Sequence, residues 1–163
     1  MLSTSSHVFS EIYIHLNWHC KDDRPLIGPR LHDSLYEHLE QYCAKAKGIK
    51  FFGAGGTDDH VHLLVQMEPH ICLAEWVGQI KGSSSHELNH EAGLMVLEWQ
   101  RGYGAVSFAR RDLPAVQKYV ANQVRHHQKG TYNKTLENFG QYMEIVQDDE
   151  SDYSTNPFEM IDD

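Results

Sequence analysis

Residues 58–65 read Asp-Asp-His-Val-His-Leu-Leu-Val, and this alternation admits few folds. In a β-strand, side chains i and i+2 share a face. His60 and His62 therefore project together, while Val61, Leu63 and Val65 project to the other side. The apolar face fixes the register, because a one-residue slip would turn both imidazoles into the core. Two imidazoles one strand repeat apart suit a divalent metal ion. A solvent-facing histidine pair on a half-exposed sheet is the competing reading.

The rest of the chain supplies partners for that strand. Its 163 residues suffice for one domain with a real core, and 40% hydrophobic with 23% charged is ordinary globular composition. From Phe9 to Trp18, Ile12, Ile14 and Leu16 alternate with polar neighbours, the period of a half-buried strand. Leu31, Leu35 and Leu39 then recur at helical spacing up to Gly48, followed by a strand at Ile49–Gly53. The glycine-rich stretch Gly53–Asp59 reads as the turn into the His60–Met67 strand. A second helix is expected over Leu73–His90 and a short strand over Tyr103–Ala109. A third helix should start at the N-cap Asp112, with Pro114 in its first turn, and run to about Gln128. The order is strand, helix, strand, strand, helix, strand, helix. It predicts an α+β fold: a ferredoxin-like, or RRM-like, antiparallel four-stranded sheet with two helices on one face and a further C-terminal helix.

That last helix carries a second group of chemical residues. Tyr119 and Gln123 are four apart and share a face, with His126 near the next turn. Val116, Val120 and Val124 form the apolar stripe beside them. A glutamine carbonyl can serve a hard cation, and a tyrosine oxygen can act as a covalent nucleophile. Equally, a tyrosine at helical spacing is an ordinary core or rim residue.

Taken in order, His60-Val-His62, Ile80-Lys-Gly-Ser-Ser-Ser85, Trp99-Gln-Arg-Gly-Tyr-Gly104 and Tyr119-Val-Ala-Asn-Gln-Val-Arg-His-His127 resemble the single-tyrosine HUH transposases. This is the insertion-sequence-200-like family, which includes the repeat-associated tyrosine transposases. The resemblance spans roughly residues 9–130. It implies that His60, His62 and Gln123 hold Mg²⁺ or Mn²⁺, and that Tyr119 on a catalytic helix attacks single-stranded, hairpin-forming DNA. A 5′-phosphotyrosine and a free 3′-hydroxyl would result, and reversal would rejoin strands without ATP. Lys81, Arg101, Arg110 and Arg111 are the expected DNA contacts, with Trp99, Tyr103 and Phe108 interleaved among them. Family members pair as homodimers in which the tyrosine helix can serve the partner's histidines. The short Ala109–Asp112 connection points the same way, since four residues are expected to be too few to return the helix to its own metal site.

Charge and cysteines set the context. The net charge is -9, yet residues 144–163 hold eight acidic and no basic residues, leaving 14 basic against 15 acidic over residues 1–143. A near-neutral body predicts modest, salt-sensitive DNA affinity. The expected division is a loose arm at 1–8, the catalytic domain at 9–143 and an acidic tail at 144–163, which either competes with DNA or only keeps the chain soluble. Cys20, Cys43 and Cys72 lack a CxxC spacing, arguing against disulfides and zinc knuckles and for a reducing cytoplasm. No apolar stretch approaches the roughly 20 residues of a membrane span, so no membrane partner is expected. Two other functions compete: a domesticated DNA-binding protein of the same fold that no longer transposes, and an unrelated metalloenzyme built on HxH. The second leaves the other three motifs unexplained.

Overall fold

The computed structural model describes residues 8–93 and 95–139, and the acidic tail lies outside them. Four antiparallel strands, β1 (Tyr13–His19), β2 (Ile49–Gly56), β3 (His60–Met67) and β4 (Gly104–Phe108), form one sheet in the order β2-β3-β1-β4. Helices α1 (Pro29–Lys45) and α2 (Leu73–Ala92) cover one face. Helices α3 (Leu113–Ala121), α4 (Gln123–Lys129) and α5 (Lys134–Glu137) follow β4 and contribute to the other face. The expected ferredoxin-like α+β arrangement is the observed one.

The two faces follow from strand alternation. Leu16, Trp18, Val61, Leu63 and Val65 point towards α1 and α2, where they meet Leu35, Leu39, Ile80 and Leu88 in the main core. On the opposite face Tyr13, Leu64 and Phe108 pack with Val116, Val120 and Leu136 in a smaller core. Beside that second core sit His15, Asn17, His60 and His62, all buried. The antiparallel register sets Asn17 opposite His62 and His19 opposite His60, so these side chains share one face.

Three expectations need correction. The glycine-rich stretch is not a turn up to Asp59: β2 continues through Gly56, and the reversal occupies only 57–59. The reason is packing, because a Cβ at Gly55 would stand 2.0 Å from the Val120 carbonyl oxygen of α3. Glycine lets that helix lie directly on the strand. Second, the C-terminal helix breaks at Asn122, whose backbone leaves the helical region at φ -108, ψ 24 and whose side-chain amide donates to the Lys118 carbonyl. Third, the stretch beyond Gly130 is not wholly irregular. Asn133 caps α5 by accepting from the Thr135 and Leu136 amides at 3.0 and 3.2 Å.

The motif segments around residues 80–104 serve the fold. Trp99 Nε1 donates to Ser84 Oγ at 3.0 Å, and Lys81 Nζ donates to the carbonyls of Gln100 and Gly102 at 2.9 and 2.7 Å. The lysine–serine segment of α2 thereby clamps the loop that leads into β4. Trp99 and Tyr103 pack against the main core, and Phe108 belongs to the smaller one.

Candidate active site

β3 presents His60 and His62 with both Nε2 atoms aimed at one carboxylate. Glu137 Oε2 lies 3.6 Å from His60 Nε2, 3.4 Å from His62 Nε2 and 3.4 Å from His127 Nε2. These separations exceed a good N–H···O hydrogen bond. The other carboxylate oxygen, Oε1, accepts from the Tyr119 hydroxyl, and the Asn133 amide donates to the same phenol oxygen at 2.9 Å. Gln123 Oε1 stands 3.3 Å from His60 Nε2. His126 stacks on the Tyr119 ring at 4.7 Å and His127 lies 4.7 Å from the His60 ring.

The far side of each histidine is engaged as well. His60 Nδ1 is 2.6 Å from Asp59 Oδ1 and 2.9 Å from Thr57 Oγ1. His62 Nδ1 is 2.7 Å from His15 Nε2. His19 stacks between His60, at 4.8 Å, and Phe139, at 3.7 Å. Both candidate ligands therefore hold Nδ1 against an outer partner and turn Nε2 inwards, the orientation a metal-binding imidazole needs. Nitrogen atoms of His60 and His62 and a Glu137 oxygen lie within 4.8 Å of one another. His62 Nε2 is fully buried and makes no hydrogen bond among the described residues. Imidazoles, an amide oxygen and a carboxylate form a mixed nitrogen and oxygen donor set that fits a divalent metal ion.

Burial and these neighbours set the protonation states. Burial raises the Tyr119 hydroxyl above its ordinary range, and the Glu137 carboxylate adds to that rise. Glu137 itself is held well below the carboxylate range: burial works against this, but contacts with His62, Tyr119 and His60 outweigh it. Burial lowers both His62 and His15. His60 moves up because the Asp59 and Glu137 carboxylates overcome its burial. Asp59 is lowered to about 2, chiefly by its hydrogen bond to His60.

Several sequence expectations meet in this cluster and others do not. Tyr119, Gln123, His60 and His62 converge within one chain. The 3-10 turn Arg110–Asp112 reverses the backbone and returns α3 to the sheet, so the connection expected to be too short is long enough. The histidine pair is not on a solvent face, because α4 and α5 bury it. Of the four expected DNA contacts, Lys81 is committed to loop carbonyls, Arg110 pairs with Glu11 at 2.9 Å, Arg111 faces Asp112 at 3.8 Å, and Arg101 is exposed on the loop before β4. Glu137 and His19 were not anticipated. The available signal for Glu137 was the capping pattern of Asn133 before Lys-Thr-Leu-Glu; nothing local says where that turn docks.

Residues 8–123 match the family described as Transposase IS200 like. The chain is 23% identical over 130 residues to the transposase of insertion sequence element IS200 from Salmonella typhimurium, covering 71% of this chain and 84% of that one. The same values hold for the Salmonella typhi transposase. Among solved structures, the fold is similar to that of a candidate transposase from Deinococcus radiodurans, with TM-score 0.59, 19% identity, and 74% and 97% of the two chains covered. It is also similar to a REP-associated tyrosine transposase solved bound to a REP hairpin, with TM-score 0.54, 11% identity, and 80% and 76% covered.

Proposed function

The chain belongs to the IS200-like transposase family, and from that premise we propose that it cuts and rejoins single-stranded DNA with Tyr119 as covalent nucleophile. One observation carries this reading: the Tyr119 hydroxyl, Glu137, Gln123 and the inward nitrogens of His60 and His62 converge in a single buried cluster. A Mg²⁺ or Mn²⁺ ion held by His60, His62 and Gln123, with Glu137 Oε2 as an added oxygen ligand, would neutralise charge on the scissile phosphate.

The chain's own residues supply the rest. Stacking on His126 and the Asn133 amide hold the Tyr119 ring and oxygen in place. Glu137 Oε1 accepts the hydrogen bond of the Tyr119 hydroxyl and orients its oxygen for in-line attack, and the phenol proton is released to water as that oxygen bonds to phosphorus. The bond from phosphorus to the 3′ oxygen breaks, and that oxygen takes up a proton from water. A 5′-phosphotyrosine and a 3′-hydroxyl result, and a second 3′-hydroxyl can reverse the step. Asp59 and His15 keep His60 and His62 turned inwards.

By analogy with the neighbour bound to a REP hairpin, the proposed substrate is hairpin-forming single-stranded DNA. Pairing of two copies would supply the two cleavages that moving an element requires, each copy using its own tyrosine and histidines. The test is incubation with single-stranded hairpin DNA and Mn²⁺, then denaturing electrophoresis. A covalent protein–DNA band is expected, and its absence across a panel of hairpins sinks the proposal. Mixing His62→Ala with Tyr119→Phe should return no band, because neither chain then carries a whole site.

A further inference from the structure

A groove opens beside the cluster, bounded by the β1–α1 connection, the 57–59 turn and α4. We propose that it is a subsite for one unpaired, amino-bearing base of the DNA, adjacent to the phosphate that Tyr119 attacks. This rests on the DNA-cleavage reading above.

The groove's volume of about 790 Å³ falls in the range of small-molecule sites. Pro25 and Pro29 supply apolar surface on one side and Val124, 54% exposed, on the other. No lysine or arginine is among the described residues that line it. Phosphate recognition needs such cations, and the exposed Asp58 carboxylate on the rim repels phosphate. An uncharged flat group suits the space. Bases drawn out of a stack are held in this way, between apolar side chains with polar groups at their edges.

Position ties the groove to the chemistry. His127 lines it, while Nε2 of the same ring lies 3.4 Å from Glu137 Oε2. Thr57 lines it too, with its hydroxyl 2.9 Å from His60 Nδ1. A base in the groove is thus one imidazole ring away from the cluster that would receive the phosphate.

The rim selects the base. A carboxylate only accepts hydrogen bonds, so Asp58 favours the exocyclic amine of cytosine, adenine or guanine and opposes the O4 of thymine. Gln128, also on the rim, can bond either kind of edge.

Fluorescence anisotropy with labelled oligodeoxycytidine and oligothymidine of equal length tests this, since the phosphate count and the acidic tail act alike on both. The full chain should bind the cytidine oligomer about fivefold more tightly, the low end of one base-edge contact. Val124→Trp, which fills the groove from an exposed helix position, should abolish the preference. Asp58→Asn should shrink it, because an amide can donate to thymine. Circular dichroism checks that both variants fold. Equal affinity of the wild-type protein for the two oligomers, or an unchanged preference in Val124→Trp, overturns the proposal and leaves the groove to another occupant. Because no cleavage is read, this failure is distinct from the absence of a covalent band.

Discussion

The two faces of the sheet draw on the same strands, residue by residue, and pack by different rules. Towards α1 and α2, Leu16, Trp18, Val61, Leu63 and Val65 make an apolar layer that depends on close packing. Towards α3, α4 and α5, the intervening positions His15, Asn17, His60 and His62 are just as buried, yet polar. Among the described residues, His15 Nδ1, both Asn17 amide atoms and His62 Nε2 have no hydrogen-bond partner, and on the apolar face neither do Trp18 Nε1, Trp76 Nε1 and the Tyr36 hydroxyl. Burying such atoms costs stability. Both faces carry that cost, but only on the second do buried imidazoles converge on one carboxylate, as a binding site requires.

Four measurements would break or sharpen this contrast. The largest effect is on the chemical face: Tyr119→Phe should abolish the covalent DNA adduct in denaturing gels while single-stranded DNA affinity stays nearly unchanged. A variant that still forms the adduct would move the nucleophile elsewhere. Next comes the apolar face, where Leu63→Ala should cost about 2–5 kcal/mol in urea unfolding. Its adduct yield per folded molecule should match wild type; a specific loss there would mean the two faces are not separable.

A smaller effect is expected where the faces differ most in kind. His15→Leu removes the partner of His62 Nδ1 and also an unpaired buried nitrogen. Calorimetry should show Mn²⁺ binding weakened about tenfold or more, with stability changed by less than about 1.5 kcal/mol. His15→Gln should recover part of the affinity. Loss of stability with intact Mn²⁺ affinity would reduce His15 to a packing residue. The smallest effect is chemical silence in the main core. Burial pushes the Cys20 and Cys43 thiols up to about 12, so at pH 8 almost none is thiolate. Iodoacetamide should label exposed Cys72 alone in the native protein and all three cysteines in urea.

Local sequence described the strands well, because alternation is a property of neighbouring residues. His60 and His62 could be put on one face, and Val61, Leu63 and Val65 on the other, without knowing what covers either. Tyr119 and Gln123 could be grouped by helical spacing even though the helix breaks between them. Glycines misled. Gly53–Gly56 has the composition of a turn, but Gly55 serves the approach of α3, a contact made 65 residues away. Lys81 is expected as a DNA contact, whereas the 99–103 segment supplies its two carbonyl partners.

What the sequence determined by itself, then, was the order of elements, the separation of an apolar from a chemical face, and the residue types at the site. These rest on periodicity and on side-chain chemistry, which act over a few residues. Tertiary structure alone decided that the site closes within one chain, that α4 and α5 bury the histidines, and that Glu137 joins them. Each of those facts depends on how a chain reversal at Arg110–Asp112 and a capped turn at Asn133 direct later segments through space. A carboxylate 77 residues beyond His60 leaves no periodic trace in the strand that it faces.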